Sequence, residues 1–293
     1  MAAAENLTKT TDITVKAREV DFVSSFARNW DSLREIMNIM RPVRKAPGTT
    51  LTSYTAEVEL EDGDVAEGDV IPYSQATVKP VSFQDLTLKK WAKAVSIEAV
   101  NQYGATIAVQ RTDEAFLREL QTEVLDDFYD FLQTGSLTGT EKDFQMAVAM
   151  AIGKATDKFK KMRRDATNII VFVNTLDAYR YLGAAQISVQ TANGMTYLEN
   201  FMGASTVILS SEIPEKTVIA VPADNIVLYY VDPGDGDFAQ LGLNYTVQGE
   251  TNLIGFHANG NYSTAVGESF ALMGMKLWAE YLDAIAVITV SGE

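Results

Sequence analysis

Residues 52–95, TSYTAEVELEDGDVAEGDVIPYSQATVKPVSFQDLTLKKWAKAV, decide how the rest of the chain is read. Tyr54, Ala56, Val58 and Leu60 alternate with Thr55, Glu57, Glu59 and Glu61, the period of two that marks a half-buried strand. Glu61, Asp62, Gly63 and Asp64 open a tip that runs through Glu67, Gly68 and Asp69 to Pro72, and a second run returns through Val78, Val81, Phe83, Leu86 and Leu88. A lone two-stranded ribbon of this length is marginal in water. The pattern therefore predicts an arm completed by another copy of the chain, which points to an assembly subunit and away from a self-contained enzyme.

Upstream of this ribbon, residues 1–16 are polar, Thr-rich and without periodicity, which predicts a mobile or partner-ordered arm. From 18 to 40 the set Phe22, Phe26, Trp30, Leu33, Ile36, Met37 and Met40 recurs at helical spacing, and Pro42 follows where a helix should stop. Arg41, Arg44 and Lys45 then make a short basic hinge.

Downstream, Phe116, Leu117, Leu120, Val124, Phe128, Phe131 and Leu132 form one stripe and predict a helix over 112–133. Asp113 and Glu114 suit the positive end of its dipole, and Gly135 is placed to cap its other end. At ~1.5 Å per residue such a helix spans over ~30 Å and can act as the backbone of a subunit. Beyond Gly139 helices and strands alternate. A helix is expected over 143–161, a strand covered on both faces over 168–173, a short helix over 175–182, and strands over 206–209, 217–221 and 226–231. Strand-like segments dominate from 244 to the end, with a last run over 284–290.

The chain has 293 residues, 47% of them apolar, enough for a substantial core in one large domain or two ordinary ones. Its net charge of -15 argues against a primary role on nucleic acid or anionic membrane, since those partners are held by clustered Lys and Arg. Cysteine is absent, which excludes disulfides, thiolate metal sites and cysteine nucleophiles. No apolar run approaches the ~20 residues of a membrane span, and the first ten residues lack a signal-peptide core. A soluble protein made in the cytosol is expected.

Chemistry is sparse. His257 is the only histidine, so a Ser-His-Asp triad has one possible base, and no G-x-S-x-G elbow accompanies any serine. Phosphate-binding loops, dinucleotide fingerprints and H-E-x-x-H are missing. The acidic groups Asp62, Asp64, Glu67 and Asp69, and Asp232, Asp235 and Asp237, do not follow the spacing of a calcium loop and read as solvated turns. No enzyme, cofactor or metal is expected. Lys154, Lys158, Lys160, Lys161, Arg163 and Arg164 complement the end of a predicted helix, where cations are favoured whatever the function. The candidate contact residues between subunits are the acidic side of the arm, Glu59, Glu61, Asp62, Asp64, Glu67 and Asp69, and the basic residues Lys89, Lys90, Lys93, Arg41 and Arg44, which are placed to receive a neighbour's carboxylates.

The order of these parts resembles the major capsid proteins of tailed bacteriophages with the HK97 fold, from about Asp21 onward. Residues 25–52, SFARNWDSLREIMNIMRPVRKAPGTTLT, look like that family's arm helix and its G-T-x-[IL] entry into the extended hairpin, the E-loop. Residues 168–182, NIIVFVNTLDAYRYL, are similar to its axial-domain strand ending in Asn before a short helix, and 202–231 to the Gly, strand and Pro-punctuated hairpin that follow. The resemblance implies an α+β fold divided into an N-terminal arm (1–45), the E-loop hairpin (46–95), a peripheral domain with a long spine helix (96–139), an axial domain of mixed sheet and helices (140–246) and a return to the peripheral domain (247–293).

It also implies a structural role. Identical copies would form hexamers and pentamers of an icosahedral shell in the virion, assembled in the host bacterial cytoplasm. A separate scaffolding protein and a portal are the further partners expected, the packaged DNA is contacted only weakly, and no membrane is involved. Encapsulins, which share the fold and enclose cargo enzymes, are the alternative. The family's lysine–asparagine cross-link is not carried over, because the hairpin tip has no lysine. An α/β enzyme would rest on the Asp-rich loop at 232–237 alone, and a tail-tube protein would not need the helix at 112–133.

Overall fold

A computed structural model describes residues 17–36, 42–66, 68–185, 188–192, 195–247 and 252–292. The first helix, α1 (Ala17–Ile36), buries Phe22, Val23, Phe26, Trp30 and Leu33 along one stripe. Residues 37–41, and with them Met37, Met40 and Arg41, lie outside the described residues. A two-residue strand, β1 (Val43–Arg44), precedes the hairpin of β2 (Thr50–Glu59) and β3 (Gln75–Asp85). β4 (Lys89–Ser96) leads into α2 (Ile97–Tyr103), whose first turn is capped by the Ser96 hydroxyl accepting from the Ala99 N–H.

After Gly104, which takes φ +80°, a π-helical turn (Thr106–Arg111) runs straight into α3 (Thr112–Leu132), the predicted long helix. Its 21 residues span ~31 Å. Because helical turns already precede Thr112, Asp113 has no free helix end to complement, and it serves other partners instead. Gly135 does not cap α3 in a left-handed conformation. A Cβ on Gly135 would lie 2.7 Å from Ile285, so glycine is needed there for the close approach of two segments.

Next come β5 (Leu137–Glu141), α4 (Phe144–Lys161), β6 (Ile169–Asn174), α5 (Thr175–Ala185), β7 (Gln190–Ala192), β8 (Met195–Glu199), β9 (Thr206–Ser210) and β10 (Thr217–Pro222). β11 (Ile226–Val231), α6 (Gly236–Gln240), β12 (Ile254–Asn261), β13 (Val266–Ala279) and β14 (Ala286–Val290) complete the chain. α4 starts at Asp143, whose carboxylate accepts from the Met146 N–H.

Three sheets result. The first has the order β1-β11-β13-β12, with β4 also paired to β13. The second is seven-stranded, β5-β14-β10-β6-β9-β8-β7, and the third is the β2–β3 hairpin alone. The strands predicted after residue 168 fall where the periodicity put them. Their assignment to sheets departs from the linear division of the sequence. β11, inside the 140–246 block, belongs to the first sheet; β14, in the closing segment, pairs with β10 in the second. β4, read as part of the hairpin's return, pairs residue by residue with β13 from Ser96–Val266 to Lys89–Met273. Alternation along a strand says which faces are buried, and says nothing about which distant strand lies beside it.

The second sheet is covered on both faces. Ile170 and Phe172 of β6 point to a core shared with the first sheet, while Ile169, Val171 and Val173 point to a core under α4 and α5. α3 joins the sheets: Phe131 stacks on Trp278 of the first at 3.9 Å between centroids, and Phe128 and Tyr129 meet Phe172 of the second edge-on at 5.7 and 5.9 Å. Two short crossings connect the sheets, at 222–226 and 279–286. The buried Asn225 amide holds them together, donating to the Tyr281 carbonyl and accepting from the Tyr281 N–H.

Candidate assembly interface

The hairpin begins as part of the body and ends as a projection. Its base is held from both strands: Gly48 N–H donates to the Leu86 carbonyl, Leu86 N–H to Thr49, and the Thr50 hydroxyl to Asp85. Leu51 and Leu86 are buried there. The Ser53 hydroxyl donates to the Ala279 carbonyl at 2.6 Å and the Tyr54 N–H to the Glu280 carbonyl at 2.7 Å. The ladder shifts at this anchor, with Ser53 opposite Ser82 and Tyr54 opposite Pro80, so that Val81 is the extra residue of a bulge. Pro80 is tolerated because a strand with only one neighbour needs fewer backbone donors.

Beyond Tyr54 no other element packs on the ribbon among the described residues. Leu60 is 64% exposed, Val70 89%, Ile71 72% and Tyr73 96%. Leu60 and Val78, which lie on the strand-like runs of the sequence, are both exposed, and among the described residues no second layer covers this part of the ribbon. Val70, Ile71 and Tyr73 escaped the sequence reading because V-I-P-Y follows an acidic turn and shows no alternation. A cluster of three large apolar residues at a loop tip was the available signal. Exposed apolar groups grouped this way mark contact surfaces.

Of the acidic candidates, Glu59, Glu61, Asp62, Asp64 and Asp69 are exposed along and around the tip, and Glu67 lies outside the described residues. Asp62 accepts from the Asp64 N–H, and the Ser74 hydroxyl from the Glu61 N–H, so the turn is shaped locally and its carboxylates face solvent.

The basic candidates divide. Lys89 bonds Glu123 at 2.8 Å and Asp127 at 3.0 Å on α3. Burial pulls its pKa down, and the two carboxylates outweigh burial and hold it above the ordinary lysine value. Lys93 bonds Asp113, which also takes the fork of Arg18 at 2.7 and 2.9 Å. Burial raises the Asp113 carboxyl, yet the bonds from Arg18 and Lys93 together leave it below the usual range. Burial likewise dominates at Lys93, whose pKa falls despite Asp113, with Arg18 repelling it. The two directions are consistent: one carboxylate has two cations, whereas the lysine has one anion and a like charge.

Lys89 and Lys93 thus each bond carboxylates of their own chain. The alternation of β4 turns both toward α3 while Lys90 points outward and is exposed. Arg44 pairs with Asp235 at 2.6 Å and Asp232 at 3.5 Å, another contact within the chain.

The remaining sequence features make contacts within the chain. Asp232 accepts from the Gly234 N–H and from Asn252, and Asp235 caps α6. No group of three or more metal-ligating side chains is found among the described residues. His257 is partly exposed, 3.9 Å from Glu19. In the basic cluster Lys158 pairs with Asp283, Lys161 with Asp157, and Arg164 lies over the Tyr281 ring at 4.7 Å. Among the described residues no helix is long and apolar enough to cross a membrane.

No protein-family model matches the chain, and no curated protein matches it. Solved structures do. A cyanophage A-1(L) capsid asymmetric unit superimposes with a TM-score of 0.60 at 12% identity, covering 88% of this chain and 92% of that one. A Mycobacterium phage Che8 structure gives 0.50 at 13% identity over 85% and 86%. An encapsulin complex from Synechococcus elongatus gives 0.46 at 12% identity over 97% and 91%. At these identities the likeness speaks for architecture, and the projecting hairpin, the long helix joining two sheets and the mixed α+β layout agree with it: the chain has the HK97-like capsid-protein fold.

Proposed function

We propose that this chain is the major capsid protein of a tailed bacteriophage, a structural subunit whose copies assemble as hexamers and pentamers into the icosahedral shell around the genome. One observation carries the reading: a hairpin tied to the body at Ser53 and Tyr54 projects Leu60, Val70, Ile71 and Tyr73 into solvent, on a chain whose fold is that of a phage capsid subunit. A monomer gains nothing from such a projection. In a closed symmetric array every copy buries its hairpin on a neighbour, and the burial repeats at every interface.

The chemistry of the tip divides the work. Apolar residues supply affinity, and the carboxylates of Glu59, Glu61, Asp62, Asp64 and Asp69 set register against outward cations such as Lys90, each such pair being weak alone. A net charge of -15 keeps the wall from adsorbing DNA strongly. The role needs no catalytic group or cofactor. Assembly in the host cytoplasm with a scaffolding protein and a portal completes the proposal.

Expression of the chain with negative-stain microscopy tests it. Shells or capsomers of regular size are the expected result, with nuclease-protected DNA in particles from an infected cell. A monodisperse single chain at high concentration, in the presence of its co-assembly factors, overturns it.

A further inference from the structure

Two apolar hollows meet where β13 begins, sharing Val95 of β4 and Val266 of β13 as a common wall. One, of about 430 Å³, is bounded by Ile97 and Val100 of α2 and by Tyr262 of the β12–β13 turn; the other, of about 550 Å³, by Tyr103 of α2 and Ile107 of the π-helical turn. Ile97, Tyr103, Ile107 and Tyr262 are all exposed, Tyr262 wholly so. Arg18 is the only charged side chain among the lining residues. Two further cations stand at the margin. Exposed Arg111 ends the π-helical turn, and Lys90 lies on the same exposed face of β4 as Ala94 of the second hollow. Of the nearby carboxylates, Glu268 takes a hydrogen bond from Asn261, and Glu98 stands on the first turn of α2.

The hairpin is anchored at the other end of the same strand, where the Ser53 hydroxyl bonds the carbonyl of Ala279. β13 has 14 residues, so ~40 Å of strand separates this anchor from the hollows at Val266. Tyr73 is only seven residues from Pro80, the partner of Tyr54, and lies within ~25 Å of the anchor even with the chain fully extended. The tip therefore falls short of the hollows of its own copy. Its exposed apolar residues and its carboxylates complement, at one end of the molecule, an apolar seat edged with cations at the other. Complementary surfaces at opposite ends associate head to tail, and such contacts close into rings where the rotation between copies allows it.

We infer that Val70, Ile71 and Tyr73 of one copy seat on the paired hollows of the next, over Ile97, Ile107 and Tyr262, with the tip carboxylates toward Lys90 and Arg111. The inference rests on the shell reading for the presence of a neighbour, and adds the seat and the direction of the contact.

A chain without cysteine allows a thiol to be placed on each surface: Ser74→Cys beside Tyr73, and Ser263→Cys beside Tyr262, both at exposed serines. Each full-length variant, an equal mixture of the two and the double variant are treated with a short bis-maleimide under assembly conditions. The mixture should give a linked dimer containing one chain of each kind, identified by mass, and the double variant a ladder of dimers, trimers and larger products. Dimers from Ser74→Cys alone would set tip against tip, and a compacted single chain from the double variant would set the tip on its own body. Either result overturns the inference, as does the absence of any link. As a second measurement, Ile97→Asp with Tyr262→Asp should raise the concentration at which particles form at least about tenfold while the unfolding midpoint holds. Unchanged assembly counts against the seat. Regular shells without a link overturn the seat and leave the shell reading standing, whereas unlinked single chains overturn both.

Discussion

β6, apolar at every position but its last, and the hairpin strand β2, where Thr, Ser and Glu alternate with apolar residues, meet opposite fates. In β6, Ile169 to Asn174 are all buried, with alternate side chains entering two cores of the same chain. Along the hairpin burial runs as far as the Ser53–Tyr54 anchor, and among the described residues nothing covers the ribbon beyond it. Apolar residues thus do two jobs here. In the second sheet they stabilise the subunit, and on the reading proposed above the apolar residues of the tip, between the two strands, are held for association, where each large side chain removed from water is worth ~1.5–3 kcal/mol.

Damaging each region in turn tests this contrast most severely. Phe172→Ala, at a fully buried ring touching Phe128 and Tyr129, should cost about 3–5 kcal/mol in denaturant unfolding and leave little folded chain to assemble. Val70→Asp with Tyr73→Asp should leave subunit stability within about 0.5 kcal/mol while abolishing particles. A large stability loss from the tip pair, or normal shells, would mean that the hairpin is not an assembly element.

Next in size is the joint between α1, β4 and α3. Asp113→Ala strands Arg18 and Lys93 and should cost about 2 kcal/mol at neutral pH, below the ~3–5 kcal/mol of fully buried pairs because Arg18 is partly solvated. The folded carboxyl lies below its ordinary 3.8, so this stabilisation is complete above that value and disappears as pH falls through the lower folded value. Calorimetry from pH 7 down to pH 2.5 should therefore show the wild type converging on the variant. Gly135→Ala should cost about 1–2 kcal/mol by forcing a methyl group against Ile285, read as a lower midpoint with an unchanged slope. The smallest effect belongs to the tip charges: Asp62→Lys with Asp64→Lys should leave unfolding unchanged and alter only the salt dependence of assembly.

Much of this was legible in the residues. The stripe from Phe116 to Leu132 located α3, and the runs at 168–173, 206–209, 217–221 and 226–231 located four strands, because helical and strand periods are local properties. The acidic turn after Glu59 marked the hairpin tip. Lys89, Lys93 and Arg44, read in the sequence as candidate contacts to a neighbour, are bonded within the chain to Glu123, Asp127, Asp113, Asp232 and Asp235, up to 191 positions away. Val70, Ile71 and Tyr73 passed unnoticed in a turn, although their exposure makes them the strongest candidates for contact.

Composition and short-range periodicity were enough to set the kinds of element, their order, the lack of thiol chemistry and the projecting acidic ribbon. Folding in three dimensions was needed to place β11 in the first sheet and β14 in the second, to give Gly135 its packing role, and to settle which lysines are already taken. Those outcomes depend on pairing between distant segments, where the stabilisation comes from surfaces that meet only once the chain has folded.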